Sequence, residues 1–387
     1  MRATTSPDVV VVGGGITGTS TAYELARAGV RVTLLERAEL AAMASGWTLG
    51  GVRQSGRDPA ELPLIRRAIR RWQQLAGELD ADVEYCQQGN LRLARTPEEV
   101  DTIRAMVDEQ CARGLELHFL DNNQAVRDIA PVLSARILAA SFCPGDGHAN
   151  PTKTVQAYAR AARRHGATIL TGTPMQGLLV EGGQVRGVRT SASRIPAGRV
   201  VLASGIHTHR LLAPLGLRLP LAIQHVSVLQ STPLPALLAP VLGAANADLA
   251  GRQQVDGRLR FTSGLTPWNW PDGEPGESQL QPRLGVLEAV IRRITAVFPA
   301  FAEAPLARVW GGLIDLTPDH LPVIDALHEP AGLVVATGFS GHGFGIGPAS
   351  GELIRDLVLG DSPAELAPFR LQRLANRDNH GKAALHG

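Results

Sequence analysis

The hydrophobic pattern changes period several times within the first 36 residues. Val9, Val10, Val11 and Val12 form a continuous β-branched run, residues 13–18 interrupt it with glycines, and residues 19–28 carry helical spacing. Gly29 then releases the chain into a second apolar strand over 31–35 that ends at Glu36, which predicts a β-α-β unit with parallel strands. An Ala-, Ser- and Gly-rich connection through Arg57 precedes an amphipathic helix over 62–79, to which the pattern gives no catalytic role. A strand is expected over 89–94. Thr96, Pro97 and Glu99 then form a capping-box start for the next helix. Helical spacing returns over 151–165, followed by strands near 168–170, 184–189 and 200–203. Prolines and short strand candidates at 227–230 and 258–263 mark a different region, with a helix over 284–297. The chain closes with a strand over 333–336, a glycine-rich turn from Gly338 to Gly347 and a helix over 351–359.

Composition narrows the function classes. The 387 residues suit two or three domains, and 38 basic against 36 acidic residues leave a formal charge of +2, which gives no electrostatic footprint for nucleic acid. No apolar run is long enough to span a bilayer, and the N-terminal segment lacks signal-peptide form, so a cytoplasmic location is expected, with peripheral attachment only through a partner. Cys86, Cys111 and Cys143 are widely spaced and odd in number, offering neither a disulfide framework nor a metal cluster.

Chemistry is most legible in the first turn. Gly13, Gly15 and Gly18 form GxGxxG directly between a strand and a helix: the first permits the tight turn, the second lets a pyrophosphate approach, and the third allows close helix packing. Glu36, ending the second strand, is placed to accept hydrogen bonds from ribose hydroxyls. The helix N-terminus supplies backbone donors to the phosphates without any lysine.

Beyond this turn, VVVVGGGITG, LLER, ASG followed by GGVRQSGR, PGDGHANP, VLASG, TPDHLPVI and TGFSGHGFGIGPASG together resemble the D-amino-acid oxidase superfamily of FAD-dependent oxidoreductases over most of the chain. The segment from Gly312 to Asp319 is most similar to beta subunits of heteromeric sarcosine, opine or D-hydroxyproline dehydrogenases. The resemblance implies an α/β chain. Its discontinuous Rossmann-like FAD domain would comprise 7–80, 141–215 and 311–365, with an inserted mixed-sheet α+β substrate domain of 81–140 and 216–310 and a flexible tail from 374.

It further implies FAD held by Gly13, Gly15, Ile16, Thr17 and Gly18, by Glu36 and Arg37, by Ser45 and Gly46, and by Gly205. Gly338, Gly341, His342, Gly343 and Gly345 would form a turn returning to the flavin, and the Met175 backbone would border the adenine. Related enzymes attach flavin through a cysteine where this chain has Gly312, so FAD is expected to be noncovalent. Glycine and D-amino acid oxidases carry an arginine where this chain has Ile314, which removes one carboxylate clamp. Arg53, and secondarily Arg57, are the replacement candidates.

The implied reaction transfers a hydride from the carbon beside a secondary amine to the flavin and leaves an imine. His342 would tune the flavin, position the amine or act in acid–base catalysis, Asp315 would order the late strand and turn, and Trp268 and Trp270 would wall the cavity. Lys153 and Lys382 lie far from any flavin-facing motif, which favours a dehydrogenase over an oxidase that activates oxygen with a lysine. The expected assembly is a catalytic beta subunit with alpha and small electron-transfer subunits, with FMN at a partner interface. The alternative is a self-contained glycine, D-amino acid or sarcosine-type oxidase, assembling as a homo-oligomer. No metal is expected.

Overall fold

The computed structural model describes residues 6–269 and 280–375. The strand Val9–Val12, the helix Ile16–Arg27 and the strand Val32–Leu35 form the expected β-α-β unit. Val9–Val12 is the inner strand of a six-stranded sheet, parallel to Val32–Leu35 on one side and to Arg199–Leu202 on the other. Thr168–Leu170 extends one edge, and Leu333–Thr337 with the antiparallel Val323–Ala326 extends the other. Val9, Val10, Val11 and Val12 are all buried, as a strand covered on both faces requires.

The second large sheet is mixed and mostly antiparallel, with nine strands. Its outer face packs Leu91, Leu93, Leu229, Leu259 and Phe261 against the helix Leu284–Val297. Strand alternation turns Asn90, Arg92, Ala250, Thr262 and Val228 to the opposite face, toward the dinucleotide domain. The strands Ala139–Cys143 and Leu306–Leu316 belong wholly to this sheet and run across positions 141 and 311, where domain boundaries were expected. A three-stranded antiparallel sheet of Met175–Glu181, Gln184–Thr190 and Arg194–Pro196 and a two-stranded one of Gly51–Val52 and Gly147–His148 complete the described fold.

One local expectation is met and another changes. Thr96 Oγ1 accepts from Glu99 N at 3.3 Å, and the Glu99 carboxylate is held by backbone N–H groups of Thr96 and Arg95, the latter at 2.7 Å, and by the Arg95 guanidinium, a charge-assisted partner. The last helix begins at Gly343, not at 351, so Gly343, Gly345 and Gly347 lie inside it. Packing explains these glycines. A Cβ on Gly347 would stand 2.4 Å from Ile16 Cγ1 and one on Gly351 2.7 Å from Ser20 Oγ, so their absence lets this helix lie against Ile16–Arg27. Trp72, from the helix Leu62–Leu79, donates from Nε1 to Gly345 O at 2.8 Å and fixes the third helix of this layer. No described helix is long and apolar enough to cross a membrane. Of the proposed tail, residues 376–387 lie outside the described residues, while Leu374 is buried.

Candidate active site

The glycine turn is shaped by backbone rather than side chains. Gly13 adopts φ +115°, and a Cβ there would meet Ala203 O at 2.2 Å; one on Gly18 would meet Gly13 O at 1.9 Å. The Ile16 amide at the helix start donates to Ser45 Oγ at 2.9 Å. Glu36 accepts from Gly14 N at 2.6 Å and from Ala38 N at 2.8 Å, which fixes its carboxylate and leaves lone pairs for ribose hydroxyls. Arg37 beside it is exposed. Thr173 N donates to Glu36 O at 2.8 Å, bringing the start of the Met175–Glu181 strand to the same end of the sheet, where Met175 packs partly buried. These residues fit FAD: a helix N-terminus lined by the small residues Gly15 and Ser45 for the pyrophosphate, a fixed carboxylate for the ribose, and a cavity beyond for the ring system.

That cavity, of about 270 Å³, lies between the two sheets. Its lining gathers Gly15, Ile16, Thr17, Ser45, Gly205, Gly341, His342, Gly343, Arg53 and Arg57 from distant parts of the chain. The other cofactor candidates lie around it. Gly46 closes a tight turn on Ala41 O, Gly345 faces Gly51 O at 3.0 Å from its would-be Cβ, and Gly338, at φ +64°, donates its N–H to Asp315 Oδ2 at 2.8 Å. Asp315 also accepts from Thr337 Oγ1 at 3.1 Å; burial pushes its carboxyl up, and these donors oppose the shift. Trp47 covers Gly312, whose Cβ would stand 2.8 Å from the indole, so an aromatic ring closes this wall over the glycine. Cys86, Cys111 and Cys143 lie outside the lining. Trp268 stacks on His225 away from the lining, and Trp270 lies outside the described residues.

Charge is concentrated at one corner. The Arg53 guanidinium reaches the lining without a hydrogen-bond or ion-pair partner among the described residues, while Arg57 Nε donates to Arg53 O at 3.1 Å. Burial, then repulsion from Arg53, lowers Arg57 to about 9, which leaves it cationic at neutral pH; burial also lowers Arg53. Behind them Arg92 is buried, with Nε and Nη2 unpartnered. Asp146 holds the loop that carries both lining arginines, accepting from Gln54 N at 2.7 Å, Ser55 N at 3.2 Å and Ser55 Oγ at 2.5 Å. Burial pushes Asp146 up, against these donors and Arg53. Gln110 adds a second tether, accepting from Gly56 N at 2.9 Å and donating to Arg57 O at 3.2 Å.

His342 caps the start of the Gly343–Leu359 helix, with Nδ1 3.3 Å from Glu61 Oε2 in an unaligned contact. Burial and Arg57 lower it to about 4 against the pull of Glu61, so it is neutral at physiological pH. Burial would raise Glu61, but His342, Arg57 and Arg53 outweigh that and keep it ionised. Both His342 ring nitrogens are covered by protein, so the residue can set the field beneath the cavity.

Sequence reasoning missed Trp47, Glu61, Asn90, Arg92 and Gln110 and gave Asp146 no role. Asp146 lies inside the PGDGHANP segment. Asn90 and Arg92 alternate with Leu91 and Leu93, a pattern that marks one polar face. Glu61 ends the turn before a helix whose strong amphipathicity already explained it.

Comparison with known proteins agrees with this geometry. Residues 8–357 match the family described as FAD dependent oxidoreductase. The chain is 30% identical to a sarcosine oxidase subunit beta from an Arthrobacter species, over 98% of this chain and 95% of that protein. It superposes on L-proline dehydrogenase from P. horikoshii with a TM-score of 0.88 at 27% identity, covering 96% of this chain and 99% of that one. Glycine oxidase from Geobacillus kaustophilus gives a TM-score of 0.88 at 26% identity, covering 95% and 99%. Fold, cradle and matches converge: the chain belongs to the D-amino-acid oxidase family of FAD-dependent oxidoreductases, enzymes acting on amino acids and amines.

Proposed function

We propose that this chain is a self-contained amino-acid oxidase for a glycine-, sarcosine- or proline-like substrate, with Arg53 as the carboxylate clamp. The observation that carries the reading is the unpartnered Arg53 guanidinium in the wall of a cavity that opens onto the FAD cradle. Asp146 and Glu61 attract Arg53 without bonding its donors, so those donors are left for a ligand, and a planar guanidinium matches a carboxylate bidentately. Arg57 adds positive charge beside it. Asp146 and Gln110 fix the loop bearing both, so the clamp is held before substrate arrives.

Bound FAD supplies the two-electron acceptor for the hydride leaving the carbon next to the amine. The residues against it would be Gly15, Ile16, Thr17, Ser45 and the start of the Gly343–Leu359 helix. The cavity walls are mostly apolar, and neutral His342 adds no further cation beneath them. Glycine oxidase likeness over nearly the full length of both chains favours an enzyme complete in one polypeptide, with oxygen as the acceptor. A second reading, a catalytic beta subunit passing electrons to alpha and small partner subunits with FMN between them, is favoured by the 30% identity to a sarcosine oxidase subunit beta.

The test is anaerobic mixing of the FAD-loaded protein with glycine, sarcosine, proline isomers, D-hydroxyproline and opines, followed by air. Bleaching by a small amino acid and rapid reoxidation support the oxidase. Bleaching with slow reoxidation that an artificial acceptor accelerates supports the partner-dependent reading. No bleaching by any compound contradicts both.

A further inference from the structure

Two helices that pack against each other begin at one corner beneath the cavity. The helix Leu62–Leu79 starts just after Glu61 and the helix Gly343–Leu359 just after His342, and the two side chains meet with His342 Nδ1 3.3 Å from Glu61 Oε2. His342 lines the cavity, while Glu61 lies behind it and is 1% exposed. Glu61 Oε1 and both imidazole nitrogens are buried without a hydrogen-bond partner among the described residues. Orphaned atoms of this kind carry a desolvation cost that a purely structural pair would have removed.

The charges around the imidazole pull in opposite directions. Arg57 and Arg53 face it from the preceding loop, with Asp146 beside them, and both arginines oppose a proton on the ring. The N-terminus of its own helix opposes one too. Glu61 favours it, and the start of the Leu62–Leu79 helix helps to keep that carboxylate ionised. Burial therefore leaves the imidazole neutral while the corner is cationic, and a negative charge gained on the cavity side shifts the balance toward Glu61. Hydride transfer brings such a charge, because it delivers two electrons with only one proton.

We propose that His342 and Glu61 are the proton store of the redox cycle: His342 takes up one proton when the flavin receives a hydride and gives it up on reoxidation. The hydride carries two electrons and one proton. The second proton comes from solvent, forms a second N–H bond on the imidazole and leaves the ring as a cation against the Glu61 carboxylate. Oxygen reduced to hydrogen peroxide takes two electrons and two protons, so reoxidation consumes the proton of the hydride and the stored one. Glu61 acts through His342 and is a positioning residue. The inference rests on FAD lying in the cradle and is independent of the Arg53 clamp.

The test uses FAD-loaded protein without substrate and reads the two-electron midpoint potential of the flavin against reference dyes from pH 5 to 6. For such a couple, each proton taken up moves the potential by about 30 mV per tenfold change in proton concentration. The wild-type potential should therefore fall by about 60 mV per pH unit, and those of His342→Gln and Glu61→Gln by about 30 mV, each with flavin bound at wild-type stoichiometry. Glu61→Asp should restore part of the steeper slope. A purely structural carboxylate would leave the slope unmoved in both Glu61 variants, and that result would remove Glu61 from the store. A wild-type slope of about 30 mV per pH unit would overturn the proposal with no variant needed. A steep slope that persists in His342→Gln would place the second proton elsewhere and overturn it too. Failure of the wild-type protein to bind FAD would instead refute the cradle beneath it.

Discussion

The dinucleotide cradle and the sheet wall opposite it face each other across one cavity and are built by opposite means. In the cradle, consecutive residues act through backbone: Gly13, Gly15 and Gly18 matter for what they lack, and Glu36 is locked by two main-chain N–H groups. On the sheet wall, single side chains from separate strands act through size and charge, from Arg92 at one end to Val228 toward the other. The cradle fits the cofactor, whereas the proposed substrate site lies on the other walls of the cavity. A backbone device tolerates almost no substitution; a side-chain surface can change one residue at a time.

The largest expected effect comes from breaking the cradle. Gly13→Ala places a Cβ 2.2 Å from Ala203 O at φ +115°, which no rotamer relieves, so the variant should lose both solubility and flavin. Gly15→Ala meets only Ser45 Oγ, at 2.9 Å, and the serine can turn away. That variant should fold, with an unchanged circular-dichroism spectrum, yet bind FAD at least about tenfold more weakly because the pyrophosphate approaches this backbone. Equal flavin retention in Gly15→Ala and wild type would show that the cradle does not work by close approach.

A smaller effect concerns pH and sharpens the contrast between the buried corner and the rest of the molecule. Folded His342 takes up a proton near 4 and folded His148 near 3, both held down first by burial, whereas each does so near 6.5 when unfolded. Between these values the unfolded chain binds more protons, so stability should decline as pH falls from about 6.5 toward 4. Thermal melts of wild type and His148→Gln across this range check the sign. The variant, having lost one of the two groups, should show the shallower decline, and parallel curves would contradict the assignment.

How much of this was legible in the sequence follows from the same contrast. The β-α-β unit, its glycines and Glu36 lie within 28 consecutive residues, so period and motif disclosed them directly. Arg53 and Arg57 were found through a local segment, but nothing local revealed that Asp146, some 90 residues later, holds their loop. Glycines signal a turn in isolation, so the pattern starts the last helix too late, whereas here Gly347 and Gly351 admit the neighbouring helix. Glu61 was invisible because an amphipathic helix start accounts for an acidic residue without any partner, and its partner His342 lies far along the chain. The sheet wall needs the registers of several strand pairs at once, which no linear pattern encodes.

The central claim is that Arg53 holds the substrate carboxylate in front of the flavin, and anaerobic stopped-flow reduction of Arg53→Ala tests it most directly. Using the best substrate and its decarboxylated analogue, the variant should bind the carboxylated compound about 100-fold more weakly, the order expected for losing a buried charge-assisted pair, while reduction by the analogue stays within about twofold of wild type. Arg53→Lys should recover part of the loss. Equal losses for both compounds, or none for either, would contradict the clamp.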